Sequence, residues 1–331
     1  MKREVASSQE ANRVRAGHAA FIGCPVASED SLARIGQAAR STLPQRIKSL
    51  LSAMSKEAGP ASVLIRGLAA EADLPPTPQR ANPTGGAQLS LLSEVVLLGV
   101  ATTLGEPVSY RAEKNGAILQ SVFPVETERN SPSNESSSSM LDLHTELVFS
   151  RRKRTCPLDV DSPDFILLWC LRSDPDRDAA TLVAAVDDLC AGLRRGHLRV
   201  LSEPRFELRA PFSFTRDLPD DRPWVGPVPL LRGESPHRRA AFDLACGTRG
   251  LDAEAESALA ALRHTAKVPG VTKRIVLQPG ELLILDNRRC AHGRTPFPAR
   301  FDGSDRWMLR LYVRRSLAGM EPVDPGLPRV F

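Results

Sequence analysis

The chain has 331 residues, enough for one large domain or two ordinary ones with a full hydrophobic core. Its hydrophobic fraction of 42% and charged fraction of 25% are typical of a globular protein, and no apolar run reaches the roughly 18 residues that a membrane span needs. The net charge of +5 is scattered, apart from the run Arg151–Arg154, and therefore does not favour nucleic-acid binding. The six cysteines form no CxxC pair, which argues against a zinc site or a disulfide framework and favours a reducing cytoplasm.

The N-terminal half shows mainly helical patterns. Residues 1–28 lack the apolar run of a secretory signal, and we expect them to form a flexible tail before a single domain over 29–331. Apolar spacing predicts helices within 29–58 and a glycine-terminated strand at 62–66. The pattern then predicts an apolar helix at 89–104, a strand at 117–125 and a polar loop at 129–139.

The C-terminal half alternates short strands with two helices. The predicted helices are 186–196 and 252–265, and the predicted strands are 165–171, 181–184, 274–277, 281–285 and 307–313. Short strands separated by turn signals, with a few helices beside them, indicate an α+β fold whose core is a β-sandwich or jelly roll.

A possible metal site lies in the sequence LDLHTE. On a strand, residues two apart share a face, so His144 and Glu146 could converge on one ion. One histidine nitrogen and one carboxylate oxygen are two of the three ligands in the facial triad that binds Fe(II). An HxE pair is common by chance, and an exposed polar strand face would also explain it.

The third ligand would come from one of the five other histidines. His292 follows a strand-like run at the edge of the expected core, and Arg306 follows it by 14 residues at the start of the strand 307–313. A buried arginine opposite such a triad could grip the distal carboxylate of a dicarboxylic co-substrate. The remaining histidines have the pattern of surface residues: His18, His197, His237 and His264.

The sequence resembles the clavaminate synthase-like branch of the Fe(II)/2-oxoglutarate-dependent oxygenases, which includes asparagine oxygenase, arginine β-hydroxylase and the free-lysine hydroxylases. The resemblance covers roughly residues 45–315. It is carried, in chain order, by VLIRGL, LLGVATTLGEPVSY, GAILQSVFPV, LDLHTE, DFILLWCLRSDPDRDAATLVA, LSEPRF, PGELLILDN, HGRTPF and FDGSDRWMLRLYVR.

The resemblance implies a double-stranded β-helix, a cupin-like jelly roll, that uses Fe(II), 2-oxoglutarate and O₂. The implied iron ligands are His144, Glu146 and His292. Arg306 and Thr181 would bind 2-oxoglutarate. The implied substrate-binding residues are Arg310, Gln120, Asn134 and Asp243. Without the resemblance, Thr181 would be an ordinary strand residue, Gln120 and Asn134 polar turn or strand residues, and Asp243 a turn cap.

Two segments near the expected mouth of the site differ from the family pattern. The loop 126–139, expected to close as a lid, is shorter than in some relatives, and 150–162 is an insertion that carries the basic run. The expected activity is hydroxylation of a free L-amino acid, lysine or arginine, at C3 or C4. The alternatives are the same chemistry on a neutral polar amino acid or a carrier-tethered intermediate, or a non-catalytic cupin-like binding protein. The sequence indicates neither a nucleic-acid nor a membrane partner and leaves the oligomeric state open.

Overall fold

A computed structural model describes residues 1–26, 28–80, 89–130, 137–147, 162–211, 224–245 and 247–331. The α-helices are α1 (Ser8–His18), α2 (Glu29–Thr42), α3 (Gln45–Ser55), α4 (Leu92–Leu104), α5 (Val186–Ala191), α6 (Arg195–Leu201) and α7 (Ala253–Ala266). The strands are β1 (Lys2–Val5), β2 (Ser62–Arg66), β3 (Glu106–Val108), β4 (Gln120–Val122), β5 (Leu141–His144), β6 (Phe165–Arg172), β7 (Thr181–Ala185), β8 (Phe206–Arg209), β9 (Trp224–Val228), β10 (Leu231–Arg232), β11 (Arg239–Ala240), β12 (Thr248–Gly250), β13 (Lys273–Ile275), β14 (Leu282–Asp286), β15 (Cys290–Arg294) and β16 (Trp307–Arg314).

Most of the predicted helices are confirmed, and each ends where local chemistry requires it. Helix α7 begins after Asp252, whose side chain accepts a hydrogen bond from the Ala255 N–H. The helix predicted over 186–196 is instead two short helices, α5 and α6, because α5 ends at Gly192. Within the described part of the chain, none of the helices combines the length and the apolar character that crossing a membrane would require.

The expectation of a flexible tail over 1–28 is wrong. Strand β1 pairs in parallel with β2, so the first residues extend the largest sheet. Helix α1 starts with a capping box in which Ser7 and Glu10 exchange hydrogen bonds, and it buries Val14 and His18. The N-terminal segment is therefore part of the folded unit.

A seven-stranded sheet forms the centre of the molecule. Its strands follow the order β1-β2-β14-β6-β16-β3, and β4 pairs with the far end of β16. Both faces are covered, so β6 reads as a continuous apolar run rather than an alternating one. Phe165, Leu167 and Trp169 face the helices α1–α4, whereas Ile166 and Leu168 face a second sheet.

The second sheet has four antiparallel strands in the order β13-β7-β15-β5. Its outer face packs on α5, α7 and two small sheets, β12-β8-β9 and β10-β11. Its inner face shares a core with the seven-stranded sheet, where Val183, Ile275 and Cys290 meet Leu283 and Met308. The expected α+β character is thus confirmed as helices on both outer faces of two opposed sheets.

Strand alternation places the polar residues singled out in the sequence on the inner faces. His292 is two residues after Cys290 on β15, and Thr181 is two residues before Val183 on β7. Arg310 lies between Met308 and Tyr312 on β16. Because residues two apart share a face, these three polar side chains enter the space between the sheets.

Candidate metal and co-substrate site

Two histidines and one carboxylate meet between the sheets. His144 ends β5 and lies directly opposite His292 of β15, with ring centroids 4.4 Å apart. Glu146 lies two residues beyond the end of β5, and its Oε1 is 3.9 Å from His292 Nε2. One ligand atom from each of the three residues lies within 4.8 Å of the other two, so the expected convergence is present in the structure.

Local backbone chemistry fixes this geometry. The Nδ1 atom of His144 is 2.8 Å from the Asp142 carbonyl oxygen, which orients the ring and leaves Nε2 as the available lone pair. Gly293, at an irregularity in the β15–β5 ladder, permits close strand approach, since a Cβ there would lie 2.4 Å from the Leu141 carbonyl oxygen. A larger residue at position 293 would push β5 and its histidine away.

The electrostatic surroundings keep His292 neutral. Burial, and then the proximity of His144 and Arg310, hold the pKa of His292 well below its ordinary value. A neutral imidazole is the form that binds a metal ion. With two histidine nitrogens, one carboxylate oxygen and no fourth protein ligand among the described residues, the donor set fits Fe(II) with open coordination positions.

Arg306 is a buried cation with little to neutralise it. Its one described hydrogen-bond partner is the Thr181 hydroxyl, 3.4 Å from Nη2. Burial lowers the pKa of Arg306, although Cys170 and Asp174 act in the opposite direction. A guanidinium in this setting is matched by an anionic ligand, because an isolated buried charge is costly.

Arg310, four residues later, has several partners. Gln120 Oε1 accepts from its Nε at 2.8 Å and from its Nη2 at 2.6 Å, and Glu146 Oε1 accepts from Nη1 at 3.2 Å. The structure therefore brings together Arg310, Gln120 and the Glu146 carboxylate of the proposed metal site.

Glu113 was missed by the sequence analysis. Its carboxylate forms an ion pair with Arg310 and accepts a hydrogen bond from Tyr312 at 3.3 Å. Burial lowers the pKa of Arg310, but Tyr312, Glu113 and Glu146 outweigh that effect and leave the pKa above its ordinary value. Glu113 lies in the connection between β3 and β4, and only the register of β16 with β4 brings Arg310 towards that connection.

Asp243 is the backbone neighbour of the metal-ligand candidate His144, and it also has a structural role. Its backbone forms an isolated bridge with His144. Its Oδ1 accepts from the Ala245 N–H at 2.9 Å, which is the turn-capping alternative considered from the sequence. The side chain is half-buried, so it is available to a ligand only in part.

The two segments expected at the mouth are only partly described. Asn134 and residues 150–161 of the insertion lie outside the described residues. The described ends of the 126–139 loop are joined, since the Ser137 and Ser138 N–H groups both donate to the Arg129 carbonyl. Ser137 in turn accepts from the Phe297 N–H at 2.9 Å, just beyond β15.

Known proteins share this arrangement of sheets and sequence. The chain is 35% identical over 287 residues to L-asparagine oxygenase of Streptomyces coelicolor, covering 85% of this chain and 80% of that protein. It is 32% identical over 285 residues to L-lysine 3-hydroxylase of Catenulispora acidiphila, covering 84% and 74%. A crystal structure of asparagine oxygenase with Fe(II), 2S,3S-3-hydroxyasparagine and succinate superposes with a TM-score of 0.86 at 28% identity, covering 100% of this chain and 99% of that one.

These matches confirm the resemblance inferred from the sequence motifs. The profile described as taurine catabolism dioxygenase TauD, TfdA family, matches residues 83–312, well over half of the chain and including the three clustered ligands and both arginines. The chain therefore belongs to the TauD/TfdA family of dioxygenases.

Proposed function

We propose that this protein is an Fe(II)- and 2-oxoglutarate-dependent oxygenase that hydroxylates C3 or C4 of a free L-amino acid. The observation that carries the proposal is the combination of a two-histidine, one-carboxylate cluster with a buried arginine that forms no ion pair with a described carboxylate. The amino-acid oxygenase and hydroxylase activities of the similar proteins support the substrate class.

In this proposal His144, Glu146 and His292 hold the iron. When bound, Fe(II) would activate O₂ as the oxidant, and 2-oxoglutarate would supply two of the four electrons that O₂ takes by being converted to succinate and CO₂, while the hydroxylated C–H bond supplies the other two. The protein residues supply position: the Asp142 carbonyl orients His144, and the β15–β5 register sets the spacing of the histidines. Burial of His292 excludes water from one side of the cluster.

Arg306 and Thr181 would bind the co-substrate. A guanidinium can donate two parallel hydrogen bonds to a carboxylate, and the Thr181 hydroxyl, already 3.4 Å from Arg306, can add a third. Arg294 lies in register with Thr181 on the neighbouring strand. Burial, and then the repulsion from Arg306, lower the pKa of Arg294 below its ordinary value. A dianion such as 2-oxoglutarate would reduce this repulsion.

Arg310, Gln120 and Glu113 would bind the amino-acid backbone. Arg310 offers a fixed cation for the α-carboxylate, while Glu113, Glu146 and the Gln120 oxygen are acceptors for an α-ammonium group. A buried cluster that contains both positive and negative side chains suits a free amino acid, which is a zwitterion. It suits an internal peptide residue less well, because its amino and carboxyl groups are uncharged amides. Asn134 remains a proposed contact of the same backbone.

The side chain of the substrate is proposed to be cationic, as in lysine or arginine. The backbone of Asp243 bridges to His144, so its carboxylate is the one proposed to meet a cationic side chain. The neutral alternative has its own support, because the chain is 35% identical to an asparagine oxygenase and Asp243 Oδ1 already caps a turn. Comparison of lysine and asparagine as substrates separates these two possibilities.

Further parts of the proposal concern the whole chain. The two opposed sheets would be the halves of a double-stranded β-helix, and the described residues from β1 to β16 would form one oxygenase domain. The loop 126–139 would close over the substrate. A cytoplasmic location is supported by four free cysteines among the described residues, three of them buried.

The test is succinate formation from 2-oxoglutarate with Fe(II), screened across lysine, arginine, ornithine, asparagine, glutamine and aspartate. The wild type should turn over at least one of these. His144→Ala, Glu146→Ala and His292→Ala should each abolish Fe(II) binding and turnover while the folded state persists, whereas His197→Ala should be nearly silent. Full turnover without His292 would contradict the proposed ligand set, and turnover only with neutral or acidic amino acids would contradict the cationic side chain.

A further inference from the structure

The backbone of Glu146 lies beyond the hydrogen-bonded ladder of its strand. Strand β5 ends at His144, and the next residue, Thr145, donates its N–H to the Phe242 carbonyl at 3.0 Å. Glu146 thus carries one of the three clustered ligand atoms on a peptide unit that no neighbouring strand holds. Something else must fix that unit if the carboxylate is to keep its place.

The side chain of Asn287 provides the missing contacts. Its Oδ1 accepts from the Glu146 N–H at 2.8 Å, and its Nδ2 donates to the Glu146 carbonyl at 3.0 Å. The same Nδ2 donates to the Pro163 carbonyl at 2.9 Å. One amide therefore satisfies both backbone groups of Glu146 and ties them to the residues that lead into β6.

Asn287 is itself rigidly held. It directly follows β14, in the middle of the seven-stranded sheet, and its side chain is buried. Its N–H donates to the Asp164 carbonyl at 2.9 Å, and the turn closes with the Arg289 N–H on the Asp286 carbonyl at 3.0 Å. The contact thus connects Glu146 to the end of β14, a strand that is buried along its whole length.

We propose that Asn287 is a positioning residue that fixes the Glu146 carboxylate for metal binding. The inference deepens the proposed function and rests on it. Asn287 hydrogen-bonds to Glu146, before the segment 148–161, and to Pro163, after it. These contacts do not depend on the sequence of that segment. Loss of a residue that orients a metal ligand commonly changes metal affinity about 10–100-fold.

The chemistry of the amide explains why asparagine suits this position. Glu146 presents one donor and one acceptor, and Pro163 presents a second acceptor, so the partner needs one acceptor oxygen and two N–H donors. Aspartate would retain the acceptor but place an oxygen against two carbonyls. Serine is too short to span both backbone groups.

The experiment is anaerobic titration of the full chain with Co(II), followed by its visible absorption, together with thermal unfolding of the metal-free protein. Wild type, Asn287→Asp and Asn287→Ser are compared, and Thr265→Val is the matched control. Thr265 is buried and donates one hydrogen bond within α7, so its loss tests general destabilisation alone. The serine variant keeps the test valid if the charged aspartate prevents folding.

We expect both Asn287 variants to bind Co(II) about 10–100-fold more weakly, with an altered absorption spectrum, while Thr265→Val binds as the wild type does. Wild-type affinity in the Asn287 variants, even with a lowered melting temperature, would overturn the inference and leave the proposed function standing. An equal loss in Thr265→Val would also overturn it. A wild type that fails to bind Co(II) would instead overturn the proposed function itself.

Discussion

Arg306 and Arg310 lie four residues apart on the same inner face, yet their surroundings differ in kind. Arg306 has a single described hydrogen-bond partner, the neutral hydroxyl of Thr181. Arg310 contacts Gln120 and two carboxylates, those of Glu113 and Glu146. The segment 306–310 therefore carries a buried cation that needs a counter-ion from outside the protein and, four residues later, a cation whose charge the protein already balances.

This difference indicates which of the two arginines binds the co-substrate and which binds the substrate. An unmatched buried guanidinium gains much from a carboxylate ligand, so the co-substrate position should bind tightly and by charge. The α-carboxylate of an amino acid that binds Arg310 must share the guanidinium with Glu113 and Glu146. The α-ammonium group of the same amino acid can then pair with those two carboxylates. The substrate position should therefore select a zwitterion rather than any anion.

The largest effect is expected from Arg306→Met, which keeps much of the side-chain volume and removes the charge. The 2-oxoglutarate carboxylate would lose its partner in a buried pocket, at a cost of about 3–5 kcal/mol. This corresponds to a rise of roughly two to three orders of magnitude or more in KM for 2-oxoglutarate. Metal-free Arg306→Met should be as stable as the wild type or more stable, because a buried charge without a carboxylate partner has been removed.

Steady-state kinetics with varied 2-oxoglutarate and thermal unfolding of the metal-free protein provide the two measurements. Arg300→Met is the control, since Arg300 is an exposed arginine paired with Asp176. An unchanged KM for 2-oxoglutarate in Arg306→Met would transfer the role to another residue, and Arg294 would be the next to replace.

Arg310→Met is expected to change KM less than Arg306→Met does, and to lower the stability of the metal-free protein rather than preserve it. This change removes the Arg310 cation from the Glu113 and Glu146 carboxylates, so the metal-free protein should lose about 2–3 kcal/mol of stability. KM for the amino acid should rise by tens of fold, and KM for 2-oxoglutarate should change little. If both arginine variants raised KM for 2-oxoglutarate and lowered stability equally, the two positions would not be distinct.

The comparison also explains what could be predicted from sequence. His144 and Glu146 are two residues apart, and Arg306 directly precedes the strand that carries Arg310, so strand periodicity and the family motifs sufficed for these residues. Glu113 is 197 positions from Arg310, and Asn287 is 141 positions from Glu146. Those contacts depend on how the fold places distant strands within and between the two sheets, which no local pattern contains. The N-terminal strand was missed for the same reason, because its partner β2 lies about 60 residues away.

The smallest effect is expected at Asp243, whose backbone bridges to His144. Its carboxylate is half-buried and already accepts the Ala245 N–H, so its pairing with a cationic side chain should contribute only about 1 kcal/mol. Asp243→Asn should therefore lower kcat/KM for lysine or arginine roughly fivefold. Because asparagine retains an acceptor for the Ala245 N–H, the turn and the kcat/KM for neutral amino acids should be preserved.

Competition between lysine and asparagine as substrates measures this shift directly, and Asp142→Asn provides a matched control. Asp142 is also a half-buried carboxylate and lies on β5 itself, two residues before His144, whereas Asp243 reaches β5 through a backbone bridge to His144. A preference that changes in Asp142→Asn and not in Asp243→Asn would reassign the side-chain contact to β5. A preference that changes in neither would mean that Arg310 and its partners select the amino-acid backbone while residues outside this cluster select the side chain.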